Sequence, residues 1–137
     1  MSNTKQNNIT WVEVSKSALR HNIKVFRKLI GQKVLLAPSV KANAYGHDLI
    51  ETSKIVLKSG ANWLCVNAIF EARKLRGAGI KPPLYIMGYV LQKDLDEALE
   101  LGCRLVMYNR KTVKVLAHAA RRTGKKAIIH IKVETGN

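Results

Sequence analysis

The sequence predicts an α/β protein built around a parallel sheet. Five short apolar runs begin about 20 to 30 residues apart, and each of the first four is followed by a segment apolar at helical spacing. Most of those segments close on a glycine or a small polar residue. Such alternation is the signature of right-handed βαβ units. An open doubly wound sheet and a (β/α)₈ barrel both fit it. After the first run, Val40-Lys41-Ala42-Asn43-Ala44-Tyr45-Gly46-His47 carries one glycine, so neither the dinucleotide-binding glycine pattern nor a P-loop is present.

Residues 1–10 are polar and are expected to form a flexible leader. Trp11-Val12-Glu13-Val14 alternates apolar and charged residues as a half-buried strand does. Ser15 or Ser17 can cap a helix whose apolar positions are Leu19, Ile23, Phe26, Leu29 and Ile30, and Gly31 ends it. Val34 to Val40 is an almost continuous apolar run, as a strand covered on both faces requires. Pro38 argues against a full strand there, because it has no N–H for the ladder. Asp48–Lys58 is a predicted helix closed by Ser59-Gly60. The pattern then repeats: strand Trp63–Val66, helix Ala68–Gly77, strand Leu84–Met87, helix Gln92–Leu101, strand Arg104–Met107, helix Arg110–Arg122, strand Ala127–Val133.

Hydrophobic residues make up 47% and charged residues 24%, a composition that excludes a disordered chain. The net charge of +15 raises a nucleic-acid partner. The basic residues are scattered, however: Lys24, Arg27 and Lys28; Arg73, Lys74 and Arg76; Arg121, Arg122, Lys125 and Lys126. No basic run is interleaved with aromatics, so solvated helix faces are the preferred account and no nucleic acid is expected. Cys65 and Cys103 lie in apolar stretches without metal spacing, which predicts buried thiols, no metal and a reducing cytoplasm. No apolar run reaches the roughly 20 residues of a membrane span, so a soluble protein with no membrane partner is expected.

Chemistry concentrates at Lys41, at the carboxyl end of the first long apolar run, where α/β barrels place catalytic groups. A lysine at the edge of an apolar wall loses hydration in its charged form, which favours the free amine. A free amine attacks carbonyls to form Schiff bases. Tyr45, four residues on, brings a phenolic hydroxyl near the same mouth. The bland account is a surface lysine snorkelling from a strand end.

Val40-Lys41-Ala42-Asn43-Ala44-Tyr45-Gly46-His47 closely resembles the cofactor-lysine signature of the alanine racemases. Trp11 to Asn22 resembles that family's opening strand and first helix, and His130-Ile131-Lys132-Val133-Glu134-Thr135-Gly136 its second marked segment. The resemblance implies the amino-terminal part, about five strands over 11–137, of a (β/α)₈ TIM-type barrel. It implies pyridoxal 5'-phosphate, with Lys41 as cofactor-bearing catalytic lysine and Tyr45 as a ligand of its phosphate. The implied reaction interconverts L-alanine and D-alanine by a two-base mechanism, in a cytoplasmic homodimer that supplies D-alanine for peptidoglycan. Lys41 would serve one face of the substrate, and a tyrosine of the partner subunit the other. Lys132 matches a lysine that some members carboxylate. Met87 matches a pocket-wall position, but a core methionine is the preferred account. His47 is read as a turn or helix-start residue, and His21 and His118 are given no role.

The sequence departs from the family at Asp48, usually glycine, and at Glu134 and Asn137 in the second segment. The family's chains run on well past that segment, so the chain as given is expected to be inactive by itself. Another amino-acid racemase of the same fold is the first alternative, and a non-catalytic basic domain that binds nucleic acid is the second.

Overall fold

The computed structural model of the protein describes residues 9–136. The expected leader over residues 1–10 lies, through residue 8, outside the described residues, and Ile9 and Thr10 are exposed. Residues Trp11–Val14 do not form the expected strand: Trp11 is 73% exposed and no backbone ladder reaches it. Alternation supplies a face, but a strand also needs a neighbouring edge to bond, and the sheet's first edge is filled by the segment around residues 36–40.

Helix α1 (Lys16–Ile30) begins where Ser15 accepts the Ala18 N–H at 3.2 Å and ends where the Gly31 N–H caps Arg27. Its buried stripe is narrower than the apolar pattern suggested. Ile23 and Arg27 are buried and Leu19 and Ile30 half-buried, while Phe26 is 55% exposed and Leu29 also faces out. Positions 19, 23, 27 and 30 form one line along a helix, and α1 packs mainly against α3 (Leu49–Lys58).

Between them, residues 36–40 run beside β1 (Leu64–Val66). Pro38 O accepts the Cys65 N–H at 2.9 Å, and the Val40 N–H donates to Cys65 O at 2.8 Å, giving one parallel bridge, Ser39 to Cys65. Leu36 O also accepts the Asn62 N–H at 2.8 Å and the Trp63 N–H at 3.3 Å, but the return bond is missing because this register places the Trp63 carbonyl opposite Pro38, which has no proton to give. The expected strand is therefore present as an extended segment with one bridge.

The remaining units follow the predicted order: α4 (Ile69–Gly77), β2 (Leu84–Ile86), a 3₁₀ turn (Gln92–Asp94) leading into α5 (Leu95–Glu100), β3 (Cys103–Met107), α6 (Arg110–Thr123) and β4 (Ile128–Ile131). All pairings are parallel and the sheet order is β1-β2-β3-β4, with Leu64 opposite Leu84 and Leu84 opposite Cys103. Sequence order and spatial order coincide, as in an unrolled part of a barrel.

One face of the sheet carries Leu64, Val66, Leu84, Ile86 and Leu105, packed against Leu75, Leu95 and Leu116 from the helices. Each such side chain contributes about 1.5–3 kcal/mol on burial. The other face carries Cys65, Tyr85, Arg104 and His130. There the Arg104 guanidinium lies 4.0 Å from the Trp63 ring centre, and His130 sits 4.5 Å from the Tyr85 ring. Strand β4 is mostly exposed, Ile131 by 75%.

The reading of the basic residues as solvated faces holds for Lys24, Lys28, Arg73 and Lys74, which are exposed, but fails for Arg27. Arg27 is 8% exposed and donates to Gly60 O, Gly31 O at 2.8 Å, Val34 O at 2.7 Å and Asn62 Oδ1. Asn62 Oδ1 also accepts the Leu36 N–H at 2.8 Å. A planar guanidinium can satisfy several carbonyls at once, and here it ties the end of α1 to the start of the segment that leads to Lys41. Arg76 makes a similar clamp on Ile80 O, Pro82 O and Leu101 O. Both cysteines are free and buried, as expected, and burial pushes the Cys103 thiol up to about 11.

Candidate active site

Lys41 opens a five-residue helical segment, α2 (Lys41–Tyr45), directly after the edge segment. Ala42, Asn43, Ala44 and Tyr45 all have φ between 50° and 55°, so the turn is left-handed. Left-handed residues cost about 1–2 kcal/mol each for side chains other than glycine, and the surrounding bonds show what holds them. The Ala44 N–H donates to Val40 O at 2.8 Å. Asn43 Oδ1 accepts the Leu49 N–H at 3.0 Å, and the His47 ring bonds Ala44 O at 2.8 Å. Ala44 is buried in the core.

The turn is also held from the sheet side. Glu71, on the first turn of α4, is 2% exposed. Its Oε1 accepts the Ala42 N–H at 2.6 Å, and its Oε2 accepts the N–H groups of Asn67 at 2.7 Å and Ala68 at 3.1 Å. One carboxylate thus joins the residue after Lys41 to the loop after β1. At the next strand, Gly88 lies so near Asn67 that a Cβ there would come within 2.3 Å of Asn67 O. Only glycine permits that approach.

Lys41 is half-buried and borders an open pocket of about 360 Å³, which Asn67, Phe70 and Glu71 also line. Its Nζ lies 6.0 Å from the centre of the Tyr45 ring, and the Tyr45 hydroxyl donates to Ser39 Oγ at 3.3 Å. Lys41 and Tyr45 are therefore near neighbours, but Tyr45 and Ser39 line a separate cleft with Val40 and Ala44 and not the pocket that Lys41 borders. His47 is a turn residue preceding the helix start, as read from the sequence: its carbonyl accepts the Thr52 hydroxyl at 2.9 Å. Asp48, with φ 73°, caps α3 by accepting the Ile50 and Glu51 N–H groups. That φ explains why glycine suits the position and how an N-capping aspartate replaces it.

Lys132 lies just beyond β4, where its N–H donates to Met107 O at 3.0 Å. It is exposed, and its Nζ sits 5.9 Å from the Tyr108 ring centre. It shares the carboxyl end of the sheet with Lys41 but stands at the opposite edge, four strand spacings or about 19 Å away along the sheet. A second pocket of about 350 Å³, lined by Met107, Tyr108, Val113 and Ile131, lies at that far edge and includes neither Lys41 nor Tyr45. Among the described residues, no group of three or more His, Cys, Asp or Glu could hold a metal ion. None of the helices there is long and apolar enough to cross a membrane.

Glu71 was missed in the sequence. A glutamate at the third position of a helix is half of a capping box, but the matching Ser or Thr is here Ala68, so the usual marker is absent. Its reach to Ala42 crosses 29 residues of chain and leaves no local pattern.

Taken together, these features define the first strands of an α/β barrel with Lys41 at the carboxyl end of the sheet. The chain belongs to the family described as alanine racemase, N-terminal domain, which matches residues 14–137. It is 37% identical over 126 residues to the alanine racemase of Desulforamulus reducens, covering 92% of this chain and 34% of that protein. Its fold superposes on the alanine racemase of Clostridium difficile with a TM-score of 0.91 at 27% identity, over 96% of this chain and 35% of that one. A histidine racemase of Leuconostoc mesenteroides is also similar, with a TM-score of 0.76, 26% identity, and 85% and 31% coverage. The chain spans about a third of the length of the relatives it matches.

Proposed function

We propose that residues 11–137 are the amino-terminal portion of a pyridoxal-phosphate-dependent alanine racemase, with Lys41 as the lysine that holds the cofactor. The observation that carries this reading is the nearness of Lys41 to Tyr45 on one hydrogen-bonded turn at the carboxyl end of the sheet, with Lys41 bordering an open pocket. The residues fit the group. A half-buried amine at a pocket rim suits a covalent bond to an aldehyde, and the Tyr45 hydroxyl, backed by Ser39, suits a phosphate oxygen. When bound, pyridoxal phosphate supplies an electron sink that acidifies the Cα proton of an amino acid.

The remaining steps belong to the protein's own atoms. With the cofactor bound, Lys41 Nζ would serve one face of the substrate carbon, taking or returning its proton there. Inversion needs a second acid/base on the other face, and the resemblance implies a tyrosine of a partner subunit for that role. Glu71 and Asn43 hold the turn so that Nζ stays at the mouth. Lys132, at the far edge, is proposed as a site of carboxylation and not as a group that meets Lys41 directly. A cytoplasmic homodimer acting on a small amino acid, without nucleic acid or membrane, completes the reading.

A second reading, another amino-acid racemase of the same fold, is favoured by the likeness to a histidine racemase. It shares Lys41 and differs only in the substrate pocket. The test is direct. The chain is incubated with pyridoxal phosphate, reduced with borohydride and mapped by peptide mass. Pyridoxyl mass on the Lys41 peptide is expected, and Lys41→Ala should remove it. Equal labelling of many exposed lysines, with Lys41 undistinguished, would overturn the cofactor reading. Supplying the complete protein with L-alanine or L-histidine and following the D-isomers by chiral chromatography separates the two substrates.

A further inference from the structure

We infer that Glu71 is a positioning residue for Lys41: its buried carboxylate clamps the left-handed turn by holding the Ala42 N–H. The inference rests on the reading of Lys41 as the cofactor lysine and assigns the group that fixes its direction.

The two oxygens of Glu71 do different things. Oε2 bonds the Asn67 and Ala68 N–H groups, which is ordinary capping of α4 by a glutamate in its first turn. Oε1 is turned away from that helix and takes the Ala42 N–H at 2.6 Å, the shortest of the three bonds. Helix capping has no use for this second contact. Ala42 has φ 50° and directly follows Lys41, so its amide sets the plane from which the lysine side chain departs. Glu71 and Lys41 line the same pocket, together with Asn67 and Ala68. Any shift of Ala42 back towards right-handed geometry would swing Lys41 off that rim.

The clamp is stiff because its base is stiff. Asn67, one of the residues bonded by Oε2, is pressed against Gly88, two residues beyond β2, whose N–H donates to Asn67 O at 3.1 Å. Movement of the carboxylate is therefore resisted by two strands of the sheet. Charge-assisted bonds from backbone N–H groups to a carboxylate are the strong members of their class, and burial strengthens them further. The arrangement holds one reactive side chain within a narrow range of directions, which covalent and proton-transfer chemistry requires.

Glu71→Gln tests this with little change of shape. The amide keeps one acceptor oxygen, so it can cap α4 or hold Ala42 but not both. Two readouts are taken on the 137-residue chain, with circular dichroism confirming the fold of each variant. Leu116→Ala, which removes core volume under α6 at the far side of the sheet, serves as a control destabilised without touching the clamp. The first readout is amide hydrogen exchange without cofactor. Exchange at Ala42 should speed up about tenfold or more in Glu71→Gln, matching loss of one bond to a charged acceptor, and should not do so selectively in Leu116→Ala. The second is the rate of pyridoxal phosphate trapping at Lys41 under borohydride. It should fall about tenfold relative to Leu116→Ala, with labelling of exposed lysines unchanged, and Glu71→Asp should recover part of it.

Unchanged exchange at Ala42 in Glu71→Gln overturns the clamp itself. Faster exchange at Ala42 with undiminished trapping at Lys41 shows that the clamp exists but does not position the lysine, and overturns the inference. If the unmodified chain traps no adduct at Lys41, the cofactor reading fails and the positioning role falls with it, whatever the exchange data show. The exchange measurement distinguishes these failures because it involves no cofactor.

Discussion

Ala42→Gly should stabilise the protein, the reverse of what the same change does in an ordinary helix. Ala42 sits at φ 50°, ψ 51° and is exposed, and its polar ties, an N–H held by Glu71 and a carbonyl that accepts the Gly46 N–H at 3.2 Å, are backbone groups that glycine keeps. Left-handed geometry costs an L-residue about 1–2 kcal/mol, and glycine removes that cost. Glycine brings its own, the greater freedom it loses on folding, about 0.5–1 kcal/mol relative to alanine. The difference is a net gain of about 0.5–1 kcal/mol, or an upward shift of roughly 2–4 °C in Tm for a chain of this size. Urea denaturation followed by far-UV circular dichroism measures it, and an unchanged m-value would show that both chains unfold over the same surface. Ala72→Gly is the companion: Ala72 is fully buried in right-handed α4, and the change should destabilise by about 1 kcal/mol from backbone freedom alone, with the lost methyl adding to it. If Ala42→Gly destabilises like its companion, the turn after Lys41 is not left-handed and the account of how the lysine is presented is wrong.

Three further outcomes follow from geometry already described. Tyr45→Phe should leave stability nearly unchanged, because its bond to Ser39 is exposed and long at 3.3 Å. It should weaken pyridoxal phosphate binding roughly 10- to 100-fold; fluorescence titration reads this, and undiminished affinity would remove Tyr45 from the phosphate site. Arg27→Lys keeps the charge but cannot bond Gly31, Val34, Gly60 and Asn62 together, so it should cost about 3 kcal/mol, two bonds of a charged donor. A loss under about 0.5 kcal/mol in urea titration would show that the lysine ammonium replaces the fork. Cys103 is a raised group, its thiol pushed up to about 11 by burial. Its contribution is therefore fully present below the ordinary thiol range and is lost as pH rises from about 9 through 11. Denaturation midpoints of the unmodified chain and of Cys103→Ala should converge over that interval, and parallel pH profiles would contradict it.

The repeat of strand and helix was legible because each helix has one face against one sheet, and that contact writes a regular apolar period. Helix α6 and strands β2 and β3 therefore lie within a residue or so of their expected bounds. Trp11–Val14 was not, since alternation is local and the absence of a bonding edge is not. Arg27 was misjudged for a related reason: a basic residue in a basic stretch looks solvated until the carbonyls of Gly31, Val34 and Gly60 and the Asn62 side chain converge on it. At the site, Lys41 and Tyr45 are neighbours in sequence and in space, and so were found together. Glu71 was not found, because its tie to Ala42 depends on β1 lying beside residues 36–40. The left-handed sense of α2 was also hidden, since alanine and asparagine at 42–44 carry no glycine to announce it.

The coincidence of chain order and sheet order bears on synthesis. Each strand pairs with the one made just before it, roughly 20 residues earlier, and none waits for a distant segment. A ribosome adding about 5–20 residues per second delivers one βα unit in roughly 1–4 s, while a helix forms in about a microsecond. Every unit therefore has ample time to dock on its predecessor before the next emerges. The nascent chain can grow as a staircase, with the Lys41 turn already clamped from the moment α4 leaves the tunnel.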